Sequence, residues 1–111
     1  MKKIIKYVLE VVDEQIINIP LPAVILSVTE QEVHIALYAI ADDDKGVPTE
    51  SVDILIKGTG HRIKDDIDRY AFIDTVKLFN TNMEFHVFYR RIGILAGDTF
   101  NIAGKREVAI I

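Results

Sequence analysis

Cysteine and tryptophan are absent from this 111-residue chain, proline occurs three times and glycine six. Without cysteine there are no disulfides, thiolate metal centres or cysteine nucleophiles. Aromatic residues make up only 8% of the chain. No apolar run approaches the roughly 20 residues of a membrane-spanning helix. The opening Met1-Lys2-Lys3 has the charge of a signal peptide, but Lys6, Glu10 and Asp13 interrupt any apolar stretch behind it. The chain therefore reads as soluble and intracellular, with a cytoplasmic location expected. Excess positive charge is missing too. The net charge of −4 disfavours a polymeric nucleic acid as partner, and any anion-binding surface has to be local.

What is present is apolar and β-branched. Half of the residues are hydrophobic, with isoleucine and valine ahead of leucine, a composition that favours pleated strands. The length suits one domain with one core.

Alternation places Ile5, Tyr7, Leu9 and Val11 on one strand face. Ile16 to Ile19 resumes extended structure, and Pro20-Leu21-Pro22 forces a bend that forbids regular ladder pairing. Residues 23–29 form a strand with Val24, Leu26 and Val28 aligned. It pairs as a hairpin with a strand carrying Val33, Ile35, Leu37 and Ala39. Asp42-Asp43-Asp44-Lys45-Gly46-Val47-Pro48 is a loop, followed by a strand over 51–57. Ile63, Ile67 and Tyr70 have the spacing of one or two helical turns. Residues 71–79 and 83–90 form a second hairpin about the Asn80-Thr81-Asn82 turn. These elements predict an all-β, single-domain antiparallel sandwich or small barrel. It should have about seven or eight strands and at most one short helix. Residues 91–111 end in the apolar Val108-Ala109-Ile110-Ile111 and read as either a sheet-closing strand or an oligomer contact.

The candidate binding residues fall in two groups. Gly58-Thr59-Gly60-His61 ends a strand between Lys57 and Arg62, where a sharp turn could expose amides to an anion beside two cations. It lacks the lysine–serine/threonine pair of a Walker loop and the third glycine of a dinucleotide fingerprint, so the residues alone favour a tight turn over a ligand contact. Tyr89, Arg90 and Arg91 end the last clear strand, where they can stack on and pair with a nucleotide or simply reach water.

Catalytic and metal readings find less support. Ser27 and Ser51 are the only serines, and neither occupies a nucleophile elbow. Asp65-Asp66 reads as a solvated pair. His34, His61 and His86 show no metal-ligand spacing, so neither a metal nor another cofactor is expected.

The order of motifs says more than any one of them. Ile19-Pro20-Leu21-Pro22-Ala23-Val24-Ile25-Leu26-Ser27-Val28 comes first, and a strand with Tyr38 comes next. Gly58-Thr59-Gly60-His61, Phe72-Ile73-Asp74-Thr75-Val76 and Phe85-His86-Val87-Phe88 then follow. Over about residues 3–88 this pattern resembles a family of small phage-encoded β-rich domains of unknown function. It departs from that family in a longer stretch at 62–70 and in the extension beyond Tyr89. The resemblance implies a non-enzymatic accessory protein in the infected host's cytoplasm. Such a protein would be similar to the oligomeric anti-CBASS sponges that sequester cyclic-oligonucleotide defence signals. Its ligand surface would then comprise Lys57, Gly58, Thr59, Gly60, His61 and Arg62, together with Tyr89, Arg90 and Arg91, and its copies would self-associate. The alternative is a structural or protein-interaction module, either a virion accessory or an inhibitor of a host protein.

Overall fold

A computed structural model describes residues 1–78 and 82–94, with Ile94 described by its backbone alone. Among the described residues, seven strands form two antiparallel sheets. The strands are β1 (Lys2–Leu9), β2 (Glu14–Pro20), β3 (Val24–Gln31), β4 (His34–Asp42), β5 (Thr49–Gly58), β6 (Ala71–Lys77) and β7 (Glu84–Ile94). One sheet has the order β1-β4-β3, the other β2-β5-β7-β6. The sheets pack face to face, with β3 against β6 and β2 against β4. The single short helix expected is a 3-10 turn, Ile67–Arg69. Among the described residues no helix is long and apolar enough to cross a membrane.

The core follows from period-two alternation. Leu9, Ile35, Leu37 and Ala39 from one sheet meet Ile19, Val52, Ile54, Ile56 and Val87 from the other. Fully burying an aliphatic side chain of this size is worth roughly 1.5–3 kcal/mol relative to exposure.

Both predicted hairpins form: β3 pairs with β4, and β6 with β7. The first turns at Glu32-Val33, one residue later than expected, with Glu32 in the left-handed region at φ 54°. Val33 is consequently 69% exposed rather than in the core.

The alignment of Val24, Leu26 and Val28 is corrected. A β-bulge between Ile25 and Ser27 leaves Leu26 unpaired and resets the alternation. Ala23, Ile25 and Val28 then face the core, while Val24 and Leu26 are exposed.

At Pro20-Leu21-Pro22 the chain bends as expected through a cis Leu21–Pro22 bond, although Pro20 still holds the last place in the β2–β5 register. Arg91–Ile94, read as the start of an extension, belong to β7. The rest of that extension, including the apolar terminus, and most of the Asn80-Thr81-Asn82 turn lie outside the described residues.

Candidate functional site

Strand β5 lies between β2 and β7, and residues Glu50 to Ile56 are all buried. Its even-numbered residues enter the core, whereas Asp53 faces the opposite side of the sheet beside Arg90, its register partner on β7. Side chains from the segment between Gly58 and β6 cross this outer face. Tyr70 donates its hydroxyl to Asp53 Oδ2 at 2.7 Å. Lys64 Nζ reaches Glu14 on β2 at 3.2 Å and Tyr70 Oη at 3.2 Å. The Arg90 guanidinium stacks over the Tyr70 ring at 4.8 Å and lies 3.6 Å from Asp66 and 3.9 Å from Asp53. Asp66, read as solvated, is thus held by an arginine.

Burial, and next the hydrogen-bonded Glu14 carboxyl beside it, push the Asp53 pKa up to about 6, against the partial relief given by Tyr70 and Lys64. Burial also opposes charge on Glu14, but its hydrogen bonds with Asp53 and Lys64 win and hold it below the usual carboxylate value. Asp53 Oδ1 has no donor among the described residues. With no donor to that oxygen and the Glu14 carboxyl near by, Asp53 favours its neutral form below about pH 6.

The predicted binding residues separate into two places. Gly58 and Arg91 lie near opposite ends of the β5–β7 ladder, Gly58 opposite Phe85 and Arg91 opposite Val52. At about 3.3 Å per residue this puts them roughly 20 Å apart.

At the first place the chain turns, with the His61 amide bonded to Gly58 O at 3.1 Å and Gly60 at φ 90°. The imidazole folds back so that Nδ1 accepts the Gly58 amide at 3.3 Å, and Thr59 N donates to Glu84 O. These two amides are therefore spent inside the protein. Thr59 Oγ1 meets His86 Nε2 at 2.8 Å, and Thr75 Oγ1 meets Nδ1 of the same ring at 2.8 Å. A cavity of about 310 Å³ lined by Thr59, Asn82, Met83 and Glu84 lies alongside. Lys57 is mostly covered and turns to Asp13 at 3.5 Å, while Arg62 is exposed.

At the second place β6 starts at Ala71, opposite Tyr89, and leaves β7 without that neighbour from Arg90 onward. A bulge there makes Ile92 an extra residue, with Gly93 at φ 112°, a conformation that glycine adopts without strain. The result is a notch of about 410 Å³ lined by Arg69, Arg90, Arg91 and Ile92. Arg91 is fixed by an ion pair with buried Glu50 and by Ala23 O at 2.6 Å, which ties the two sheets together. Tyr89 instead packs its half-buried ring against the core, with Arg91 above it at 5.9 Å. Arg69 is exposed and has no acidic partner among the described residues.

Glu14, Asp53, Lys64, Tyr70 and Arg69 are absent from the sequence-based site. Only Asp53 leaves a local trace, as a carboxylate inside the apolar run 51–56.

The acidic loop gathers Asp42, Asp43 and Asp44 within 4.8 Å of one another. The chain's own cations already answer them, the N-terminal amine at 3.1 Å and 2.7 Å and Lys3 at 3.1 Å.

These features define an antiparallel β-sandwich with a buried aspartate, Asp53, beside the exposed Glu14 on one face and an arginine-lined notch at the end of that face. A domain of unknown function (DUF7352) matches residues 1–93, and the chain belongs to that family. No curated protein and no solved structure matches the chain.

Two outcomes test this geometry. A Cβ on Gly58 would lie 2.9 Å from His61 Cε1. Gly58→Ala should therefore cost about 1–2 kcal/mol in urea unfolding, and most of that cost should vanish in a His61→Ala background. For Asp53 the folded pKa, about 6, exceeds the ordinary 3.8. The folded state then holds the extra proton between these values, so the resulting stability is complete below pH 4 and lost as pH rises through 6. Asp53→Asn should be more stable than the parent by about 2–3 kcal/mol at pH 7.5, and the difference should shrink towards pH 4. Chemical denaturation across that range checks it.

Proposed function

We propose that this protein is a non-enzymatic binder that sequesters a phosphate-bearing small ligand in the arginine-lined notch. The ligand class is a cyclic oligonucleotide of a host defence system, and the setting is a phage protein in the infected cell's cytoplasm. The observation that carries this reading is the convergence of Arg69, Arg90 and Arg91 on one concavity of about 410 Å³. That volume lies within the range of small-molecule sites, and guanidinium forks match phosphate oxygens. Ile92 offers an apolar wall, and the Arg90–Tyr70 stack holds one fork in place. Two copies about a two-fold axis would match the near two-fold shape of a cyclic dinucleotide, so self-association is part of the proposal.

Calorimetry against a panel of cyclic dinucleotides should show binding, with intact ligand recovered after denaturation. Arg69→Ala should weaken it at least about tenfold, the loss of a charge-assisted contact, with the melting temperature unchanged. Arg91→Ala is unsuitable because it strands the buried Glu50 carboxylate and should cost about 2–4 kcal/mol of stability. Silence across the panel would sink the reading, and cleaved ligand would make the protein an enzyme.

A different observation favours a protein-interaction module. Ile4, Ile40 and Val24 lie in register across β1, β4 and β3 on the outer face of the smaller sheet. Ile4 is 63% and Val24 57% exposed, an apolar row suited to another protein surface or a second copy. If copies meet there, Ile4→Lys should shift the sedimentation profile to monomer and leave the fold intact. Wild-type protein that is already monomeric at high micromolar concentration excludes self-association at that face.

A further inference from the structure

The carboxyl pair and the notch share one residue. Arg90 lines the notch and also faces Asp53 from the adjacent strand. Every charged or titratable group facing Asp53 in the cluster can be named by its element. Glu14 comes from β2, Arg90 from β7, and Lys64, Asp66 and Tyr70 from the crossing segment. With one proton on the pair, Lys64 balances Glu14 and Arg90 balances Asp66. Without it, one negative charge is left over, and the nearest cation not already hydrogen-bonded to a carboxylate is Arg90, 3.9 Å from Asp53 Oδ2. Asp53 is only 3% exposed, so solvent does little to screen that charge.

Resting on the anion-binding reading of the notch, we propose that the Glu14–Asp53 pair is a proton-operated latch on Arg90. Uptake of one proton loosens the hold on the guanidinium, leaving Asp66 as its facing carboxylate, and so favours an anion in the notch, while loss of the proton draws it towards Asp53. The coupling is reciprocal, because an anion that engages Arg90 removes the cation that favours ionised Asp53 and so promotes proton uptake. The rise of the Asp53 pKa to about 6 places the transition in the mildly acidic range.

The test is titration of the full chain with sodium sulfate and with cyclic di-AMP at pH 5.5 and 7.5. Sulfate and phosphodiesters keep their charge over that interval. Both probes are expected to bind about five- to tenfold more tightly at pH 5.5, the size of a modest site-to-site coupling. Asp53→Asn, which fixes the pair in its singly charged state, should bind at pH 7.5 as the parent does at 5.5 and lose the pH dependence. Glu14→Gln removes the like charge from beside Asp53 and should move the transition to lower pH, which provides a second reading if Asp53→Asn folds poorly. The comparison with Asp53→Asn is decisive rather than the parent profile alone, because it isolates the one carboxyl that the latch invokes. Binding that is equal at both pH values, or pH dependence that survives in Asp53→Asn, overturns the latch while leaving the notch as an anion site. No binding of either probe at either pH overturns the notch reading and the latch with it.

Discussion

Asp53 sits where a carboxylate is least welcome, in the middle of a strand paired on both sides and covered on both faces. Its burial obliges the surroundings to provide a hydroxyl and cations, and favours its neutral form. Those obligations organise the outer face of the larger sheet. Tyr70 and Lys64 are drawn across β5 and β2, Arg90 is stacked on Tyr70, and Asp66 is brought to Arg90. The segment between Gly58 and β6 is thereby anchored by polar contacts, with one 3-10 turn as its only regular element among the described residues.

The second buried charge, Glu50, works differently. Its carboxylate lies at one end of the core and is met by Arg91, which also bonds the Ala23 carbonyl at the start of β3. A pair of this kind contributes little net stability, yet losing one partner is costly. Adjacent arginines on one strand thus have separate duties. Arg91 closes the sandwich, while Arg90 stands between an internal acid and an open notch. The bulge at Ile92 and the late start of β6 bring both to the same concavity with Arg69.

The Gly58-Thr59-Gly60-His61 turn shows how a permissive motif is used up internally. Three of its amides, those of Gly58, Thr59 and His61, and its imidazole close on one another or on β7, and Thr59 and Thr75 hold His86 from opposite sides. Sequence spacing next to Lys57 and Arg62 gives it the look of an anion cradle. That spacing is silent on where amide hydrogens point, and the chain directs Lys57 toward Asp13.

Period-two alternation in β1 and β4, the strand at β5, the two hairpins and the acidic loop were legible from residue order, because each depends on neighbours along the chain. The absence of cysteine and the scarcity of aromatics likewise follow from composition alone. The bulges at Leu26 and Ile92 were not legible, since an unpaired residue is defined by the opposite strand. Nor was the site: Glu14, Asp53, Tyr70 and Arg90 are far apart in sequence and meet only through the order β2-β5-β7 and the segment that crosses it. The sequence by itself determined an all-β domain with its charges and turns. Tertiary structure decided which arginines converge, which amides are spent and which carboxyl resists ionisation, because burial and cross-strand pairing act between residues that the linear chain keeps apart.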